Sequence, residues 1–431
     1  MDWPQLLSDR RVAAPASGDP QRSTFQRDFD RIVFSAAFRR LQDKTQVHPM
    51  PDSDFIRRRL THSLEVACVG RSLGTALGQN LLAADSALAA ASPQLDWIIG
   101  QITSNACLAH DIGNPPFGHA GEKAIGSWFS ECLPASLKAH LDPAEVNDFE
   151  KFEGNAQGFR LLTRLQDNKN NGGMRLTYAT LATFTKYPTT SGNVRTANYI
   201  GAKKHGFFQA DADTFTAVAS DVGLPAQPWG WSRHPLVFLV EAADDICYSV
   251  TDIEDAYRLG RFSLTEAEGY LVALIGDPSA YKPEADEVAN IGWLRGKAIN
   301  NLVLECEEAF VRNMPDILGG THSKSLTSDI ASTSALKTAS EEVQRRVFDW
   351  DRTISAEIAG GRMIQDVLES VVLAISSPNV HANALVLKII PGFDERATTY
   401  EQLLSATDFV SGMTDSYLHR MHRRLTGQAI Y

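Results

Sequence analysis

The stretch LAHDIGNPPFGH, residues 108–119, constrains this chain more than any other. It sets His110 and Asp111 at the end of an apolar run, WIIGQITSNACLA, whose spacing predicts a buried helix. Neighbouring side chains on a continuous helix diverge by about 100°. They converge only where the backbone leaves the helix. Gly113, Asn114, Pro115 and Pro116 end it at once, because proline has no amide to donate and clashes with the preceding turn. A His-Asp doublet in that position can offer an imidazole nitrogen and a carboxylate oxygen to one metal ion.

Two further positions supply candidate ligands: His62 in LTHSLEV, and one aspartate of the pair Asp244–Asp245 in EAADDICY. A single histidine on an amphipathic helix is usually a satisfied surface or core residue. The set is more informative, since Asp244 follows the apolar VFLVEAA and is costly to bury there unless it coordinates or pairs. Two imidazoles and two carboxylates suit a divalent first-row ion such as manganese, iron, cobalt or nickel, and also accommodate zinc or magnesium. On an octahedral ion they leave two places, for water and a phosphate oxygen. The chain reads as a metallohydrolase.

The remaining composition sets bounds. The net charge of −11 over 431 residues argues against a protein built mainly to coat nucleic acid. Five scattered cysteines without a CxxC spacing fit reduced thiols. The opening MDWPQLLSDRR lacks the apolar core of a signal peptide, and no run approaches a membrane span, so the expected compartment is the cytoplasm with no membrane partner.

Helical periodicity dominates, and the expected fold is mostly α, with a helical core, a further helical C-terminal region and few short strands. One helix is expected from an N-cap at Asp52 or Ser53, with Phe55, Leu60, Leu64, Ala67, Cys68 and Leu73 as its apolar stripe. Another is expected in HPLVFLVEAADDICYSVTDIEDAYRLG. The best strand candidate is HANALVLKII, near 381–390. Polar, Gly/Asn-rich residues 166–206 suit loops around a pocket, and Ser/Thr-rich residues 318–340 a linker or mobile loop. A soft boundary near 270 separates a core, 1–270, from a mainly helical region, 271–431.

A helix starting near Gly118 would set His119 and Glu122 at i and i+3, where the carboxylate can hold the imidazole in one tautomer and raise its pKa. On the later helix, Asp244, Tyr248 and Asp252 fall on one face at i, i+4 and i+8. Arg59, three residues before His62, can face the same site.

These segments together resemble the HD-superfamily deoxynucleoside triphosphate triphosphohydrolases, the dGTPase group in particular. The resemblance runs through FSAAFRRLQDKTQV, RLTHSLEV, ACLAHDIGNPPFGHAGEKAI, FEGNAQGFRLL, LTYATLATFTKYP, EAADDICYSVTDIEDA and DFVSGMTDSY, in that order. It covers most of the chain to about 260 and a short piece near the end. It implies a metal held by His62, His110, Asp111 and Asp244, with Mn²⁺ or Mg²⁺ as the leading ions. It implies Tyr248 against the deoxyribose, Asp252 at the 3′-hydroxyl, and His119 with Glu122 as the acid-base pair. His119 would protonate the departing 5′-oxygen, with nucleophilic attack as the alternative. Arg59, Asn155, Lys186 and Tyr187 are implied at the triphosphate, and Gln46 at the base or sugar.

The implied reaction is hydrolysis of a deoxynucleoside triphosphate, dGTP foremost, to deoxynucleoside and tripolyphosphate. The resemblance also implies a homo-oligomer, hexamer or tetramer, and an effector that is a nucleotide or single-stranded DNA. The alternatives are an HD phosphohydrolase acting on another nucleotide ester, and a nucleotide- or DNA-responsive binding protein with vestigial hydrolysis. Residues 260–400 carry no alignable motif. Arg420, Arg423 and Arg424 are candidates for phosphate contact or for complementing a helix C-terminus.

Overall fold

The computed structural model describes residues 1–12, 22–46, 56–166, 173–194, 198–283 and 285–428. Among these the fold is mostly α, and the only sheet is a two-stranded antiparallel pair, Ala226–Gln227 with Gly230–Trp231. The buried core forms two clusters. The larger draws residues from Trp3 to Val347 and includes the position of the soft boundary near 270. The smaller joins residues 117–156 to 364–421.

The closest-packed helices are Arg59–Ala84 and Leu95–Ala109. Glycines at every fourth position explain why. A Cβ added at Gly70 would lie 2.3 Å from the Cys107 Sγ, one at Gly74 2.8 Å from the Ile99 oxygen, and one at Gly78 2.2 Å from the Asp96 Cα. The missing side chains let the two backbones approach. His62, two turns before Gly70 on the same helix, is thereby brought against the end of its partner.

The first of these helices begins at Arg59, later than expected. Asp52, Ser53 and Phe55 lie outside the described residues; Arg58, in extended conformation, precedes the helix. Arg58 bridges to Thr45, and Arg59 N donates to the Lys44 oxygen at 3.3 Å, so the chain is still strand-like there. The expected stripe also shifts. Leu64 and Cys68 are exposed, and Val66, Val69, Leu73, Leu77 and Leu81 carry the buried face.

Two C-terminal expectations are corrected. Most of 381–390 forms a helix, His381–Lys388, in which Leu387 is buried, and Ile390 is buried in the turn that follows. Residues 318–340 are structured rather than loop-like. The Glu287–Gly319 helix stops at Gly320, which is left-handed, and a short turn at Leu326–Asp329 leads into the Thr333–Val343 helix. Three apolar residues, Leu336, Ala339 and Val343, anchor that helix despite its Ser/Thr-rich surroundings. Within 166–206 a buried helix, Tyr178–Phe184, interrupts the expected loops.

The C-terminal segment reaches back to the His-Asp turn through one carboxylate. Asp415, 1% exposed, accepts from the Phe117 amide at 3.1 Å and from the Thr45 amide and hydroxyl at 2.9 and 2.5 Å. The buried Lys44 ammonium donates to the backbone oxygens of Asn114 and Ser411. Asp408 clamps Arg160 at 2.9 Å and Gln157 at 2.8 Å. The DFVSGMTDSY motif therefore acts as a brace.

Replacing Asp415 by alanine strands three buried donors, so Asp415→Ala should lose about 3 kcal/mol of stability. Gly74→Val should lose about 2 kcal/mol by forcing the helices apart. Urea unfolding midpoints check both; an unchanged midpoint would refute the corresponding contact.

Candidate metal and phosphate site

Three elements meet at the His-Asp turn. The Leu95–Ala109 helix tightens as it ends: the amides of His110, Ile112 and Asn114 each bond three residues back, to Cys107, Ala109 and Asp111. That turn swings His110 and Asp111 to the same side. His62, 1% exposed, comes from the first turns of the Arg59–Ala84 helix, and Asp244 from the Val237–Arg258 helix.

The His62 Nε2 lies 3.1 Å from the Asp244 Oδ1, and the His110 Nε2 lies 3.5 Å from both that oxygen and the Asp111 Oδ2. Two ligands on one ion with bonds near 2.1 Å stand roughly 3.0–3.4 Å apart. The donor set therefore fits a single ion. His62, His110 and Asp244 form a group whose ligand atoms all lie within 4.8 Å of one another. Asp111 stands at its edge, because its Oδ2 is also taken by the Arg59 Nη1 at 2.6 Å.

The imidazole of His110 is oriented from behind. Its Nδ1 lies 2.7 Å from the Cys107 carbonyl, which can only accept, so Nδ1 carries the proton and Nε2 presents its lone pair to the site. Burial would raise both carboxyls, but it is outweighed. Arg59, then His110 and His62, hold Asp111 down to about 2. The two histidines, with Lys186 beyond them, hold Asp244 well below the ordinary carboxylate range. Both are anions, as ligands must be.

Asp244, Tyr248 and Asp252 follow one another along the same helix as the spacing requires. The Tyr248 ring stacks on Phe348, with centroids 6.0 Å apart and planes 10° from parallel. Asp252 is 2% exposed, and its Oδ2 has no hydrogen-bond partner among the described residues. Burial, reinforced by Asp255, pushes its carboxyl well up.

Lys186 approaches from the other side, 3.2 Å from the Glu241 Oε1. Its ammonium, like the guanidinium of Arg233, lies over the Tyr187 ring. Sequence reasoning missed Arg233 and Glu241. Arg233 is fully buried, bonds the Glu241 Oε2 at 2.9 Å, and donates through Nε to the Lys186 oxygen at 2.8 Å. The pair fixes both the backbone and the ammonium of Lys186.

The His119–Glu122 pair is not formed. A helix does begin at Gly118, preceded by Phe117 in a left-handed conformation, φ 60°. A Cβ on Gly118 would stand 2.3 Å from the Arg59 Nη2, so only glycine lets that arginine pass. The Glu122 Oε1 instead accepts from the Gly154 amide at 2.8 Å, while Oε2 faces Lys204 at 3.9 Å. Lys204 sits 2.7 Å from Glu153, whose other oxygen accepts from the Asn155 amide at 2.6 Å. His119, exposed at the cleft, has its pKa lowered rather than raised, by desolvation and then by Lys204 and Arg59. Glu122 is pushed up by burial, against Lys204.

Glu153 and Lys204 were also missed, although FEGNAQG and KKHG are legible in the chain. Gln46 follows the braced Thr45, and its Oε1 is buried without a hydrogen-bond partner among the described residues. The structure thus unites His62, His110, Asp111, Asp244 and Arg59 by direct contact. It joins Asn155 and Glu122 through Glu153 and Lys204, and the Gln46 Oε1 has no hydrogen bond to either group.

The five cysteines are free, and no single helix among the described residues is long and apolar enough to cross a membrane. A family model for the HD domain matches residues 59–167. A deoxyguanosinetriphosphate triphosphohydrolase-like protein of Synechocystis sp. is 41% identical over 99% of each chain. One of Pseudomonas aeruginosa is 40% identical over 100% of this chain and 99% of its own. A deoxyguanosinetriphosphate triphosphohydrolase of Yersinia enterocolitica is 28% identical over 99% of both. Full-length identity of this order, with the His-Asp turn inside the matched domain, makes this chain a hydrolase belonging to the deoxyguanosinetriphosphate triphosphohydrolase-like family.

Proposed function

We propose that the chain hydrolyses deoxynucleoside triphosphates, dGTP foremost, to deoxynucleoside and inorganic tripolyphosphate, by attack of water at the α-phosphorus. The observation that carries this reading is the convergence of His62, His110, Asp111 and Asp244 beside the cations Arg59 and Lys186. Those four side chains would hold the divalent ion, Mn²⁺, Mg²⁺ or another first-row metal. When bound, it supplies Lewis acidity and lowers the pKa of the attacking water.

The protein's own groups do the rest. A triphosphate carries roughly four negative charges. Arg59 and Lys186 would meet them, with Lys204, Asn155 and the Tyr187 backbone segment along the same cleft. Lys204 is held by Glu122 and Glu153, so Glu122 acts here as a positioning residue. In the free protein the pKa of His119 is lowered by desolvation and by the charges of Lys204 and Arg59. A bound triphosphate would offset both charges, and the imidazole would then take up the proton it delivers to the departing 5′-oxygen.

Tyr248 would lie where a 2′-hydroxyl projects, excluding ribose. Its stack on Phe348 keeps the ring from turning aside. The unpartnered oxygen of Asp252 would meet the 3′-hydroxyl, and Gln46 the base or sugar. The 1–270 core would carry the chemistry, and 271–431 the brace and subunit contacts. Exposed Ile354 and Ile358, one helical turn apart, support a homo-oligomer, hexamer or tetramer. Free thiols support the cytoplasm.

Incubation with each dNTP and Mn²⁺ or Mg²⁺ should release tripolyphosphate, with dGTP consumed fastest. Release of pyrophosphate or orthophosphate instead would overturn the bond assignment. Asp111→Ala should lose both bound metal, measured by elemental analysis, and turnover. His119→Ala should keep metal and substrate affinity while kcat falls about 10²–10⁴-fold. In Tyr248→Ala the preference for dGTP over GTP should collapse; a preserved ratio of kcat/KM values would remove the tyrosine from sugar selection.

A further inference from the structure

The pair Asp244–Asp245 divides between two partners. Asp244 meets His62 and His110. The half-buried Asp245 is tied to a distant segment instead: its Oδ2 accepts from the Thr327 hydroxyl at 2.6 Å. Thr327 belongs to the Leu326–Asp329 turn, within the Ser/Thr-rich stretch 318–340. That turn is itself fixed. Leu326 is 1% exposed, and the Thr333 hydroxyl donates to the Thr327 carbonyl at 2.9 Å. The Ser332 amide and hydroxyl donate to Glu305 at 2.9 and 2.8 Å. Thr327 therefore offers Asp245 a stationary donor.

Lys186 is the cation that Asp245 would otherwise approach. Glu241 and Asp245 stand one turn apart on the Val237–Arg258 helix and so share a face. The Glu241 Oε1 already lies 3.2 Å from the Lys186 ammonium. Burial would lower the pKa of Lys186, but Glu241, then Tyr187, Asp244 and Asp245, raise it, so Asp245 acts on the same charge. Among the described ion pairs, however, Lys186 is joined to Glu241 and not to Asp245. An ammonium has three donors. A second carboxylate closing on it from the same face would occupy another donor and offset its charge. In surroundings of low dielectric that pairing would be strong.

We propose that Thr327 is a positioning residue for triphosphate binding: its hydroxyl holds the Asp245 carboxylate off Lys186 and leaves that ammonium available to phosphate oxygens. This rests on Lys186 meeting the triphosphate, as in the function proposed above. The Leu326–Asp329 turn is then an outer support of the phosphate site. Asp245 is the competitor that the turn restrains, and Glu241 is the one carboxylate allowed to hold Lys186 in place.

Steady-state kinetics of the full chain with dGTP and Mn²⁺, at about pH 8.5 where carboxylates are charged, test this. In Thr327→Val, KM should rise about tenfold while kcat is held, because a contact to a charged group is lost from binding. Thr327→Ser, which keeps the hydroxyl, should have the parental KM. The deciding variant combines Thr327→Val with Asp245→Asn. It lacks the same hydroxyl but also lacks the competing charge, so its KM should return to the parental value. A merely structural defect would leave KM high in both valine variants, and that result would overturn the proposal, as would a parental KM in Thr327→Val alone. Bound manganese, by elemental analysis, should be equal in all of them; its loss in Thr327→Val would place the effect at Asp244 and overturn the proposal too. Lys186→Ala separates this inference from the reading beneath it. A raised KM there with none in Thr327→Val sinks the restraint alone, whereas an unchanged KM in Lys186→Ala removes the lysine from the phosphates and the restraint with it.

Discussion

The centre depends on a charge balance that the protein achieves alone. Three carboxylates, Asp111, Asp244 and Glu241, stand against three permanent cations, Arg59, Arg233 and Lys186. These six charges sum to zero. Each carboxylate faces a cation or an imidazole, so the low-dielectric surroundings that would otherwise protonate it instead strengthen its pairing. A divalent ion entering this balanced centre brings its charge in full.

That balance rests on helix approach. The glycines at 70, 74 and 78 are small on the face toward Thr103, Gly100 and Asp96, and no side chain keeps the helices apart. His62 and His110 consequently stand with ring centroids 5.3 Å apart and planes 66° from parallel. A bulkier stripe would widen the gap and pull the imidazoles beyond one ion's span.

Much of this was legible because it is local. An apolar helix, an abrupt break and a His-Asp doublet occupy one short stretch, and the i, i+4, i+8 spacing from Asp244 needs only helical geometry. What escaped depends on partners distant in sequence. Glu122 is three residues from His119 yet bonds the amide of Gly154, whose nearness no spacing announces. Arg233 and Glu241 lie eight residues apart, but their purpose lies in Lys186, reached only through the fold. The segment 381–390 misled for another reason. Its β-branched run satisfies a period of two as readily as a helical one, and in the fold Leu387 is the one buried side chain of the helix that forms there. The dense Ser/Thr content of 318–340 masked the three apolar anchors of a real helix.

The late motif DFVSGMTDSY shows why a chain must keep residues so far from its chemistry. Phe117 holds a left-handed backbone, φ 60°, which costs a bulky residue about 1–2 kcal/mol. Two features of the C-terminal region hold it there. Asp415 takes its amide, and its ring packs on Gly360, where an added Cβ would come within 2.5 Å of the ring. The kink aims the Gly118–Cys132 helix so that His119 starts it at the cleft, while Gly118 leaves room for Arg59 to reach Asp111. Remove the brace and the backbone would relax toward an ordinary conformation, rotating His119 away from the site and closing the passage of Arg59. The strain at Phe117 thus couples the last helix of the chain to the side chains of the candidate metal site.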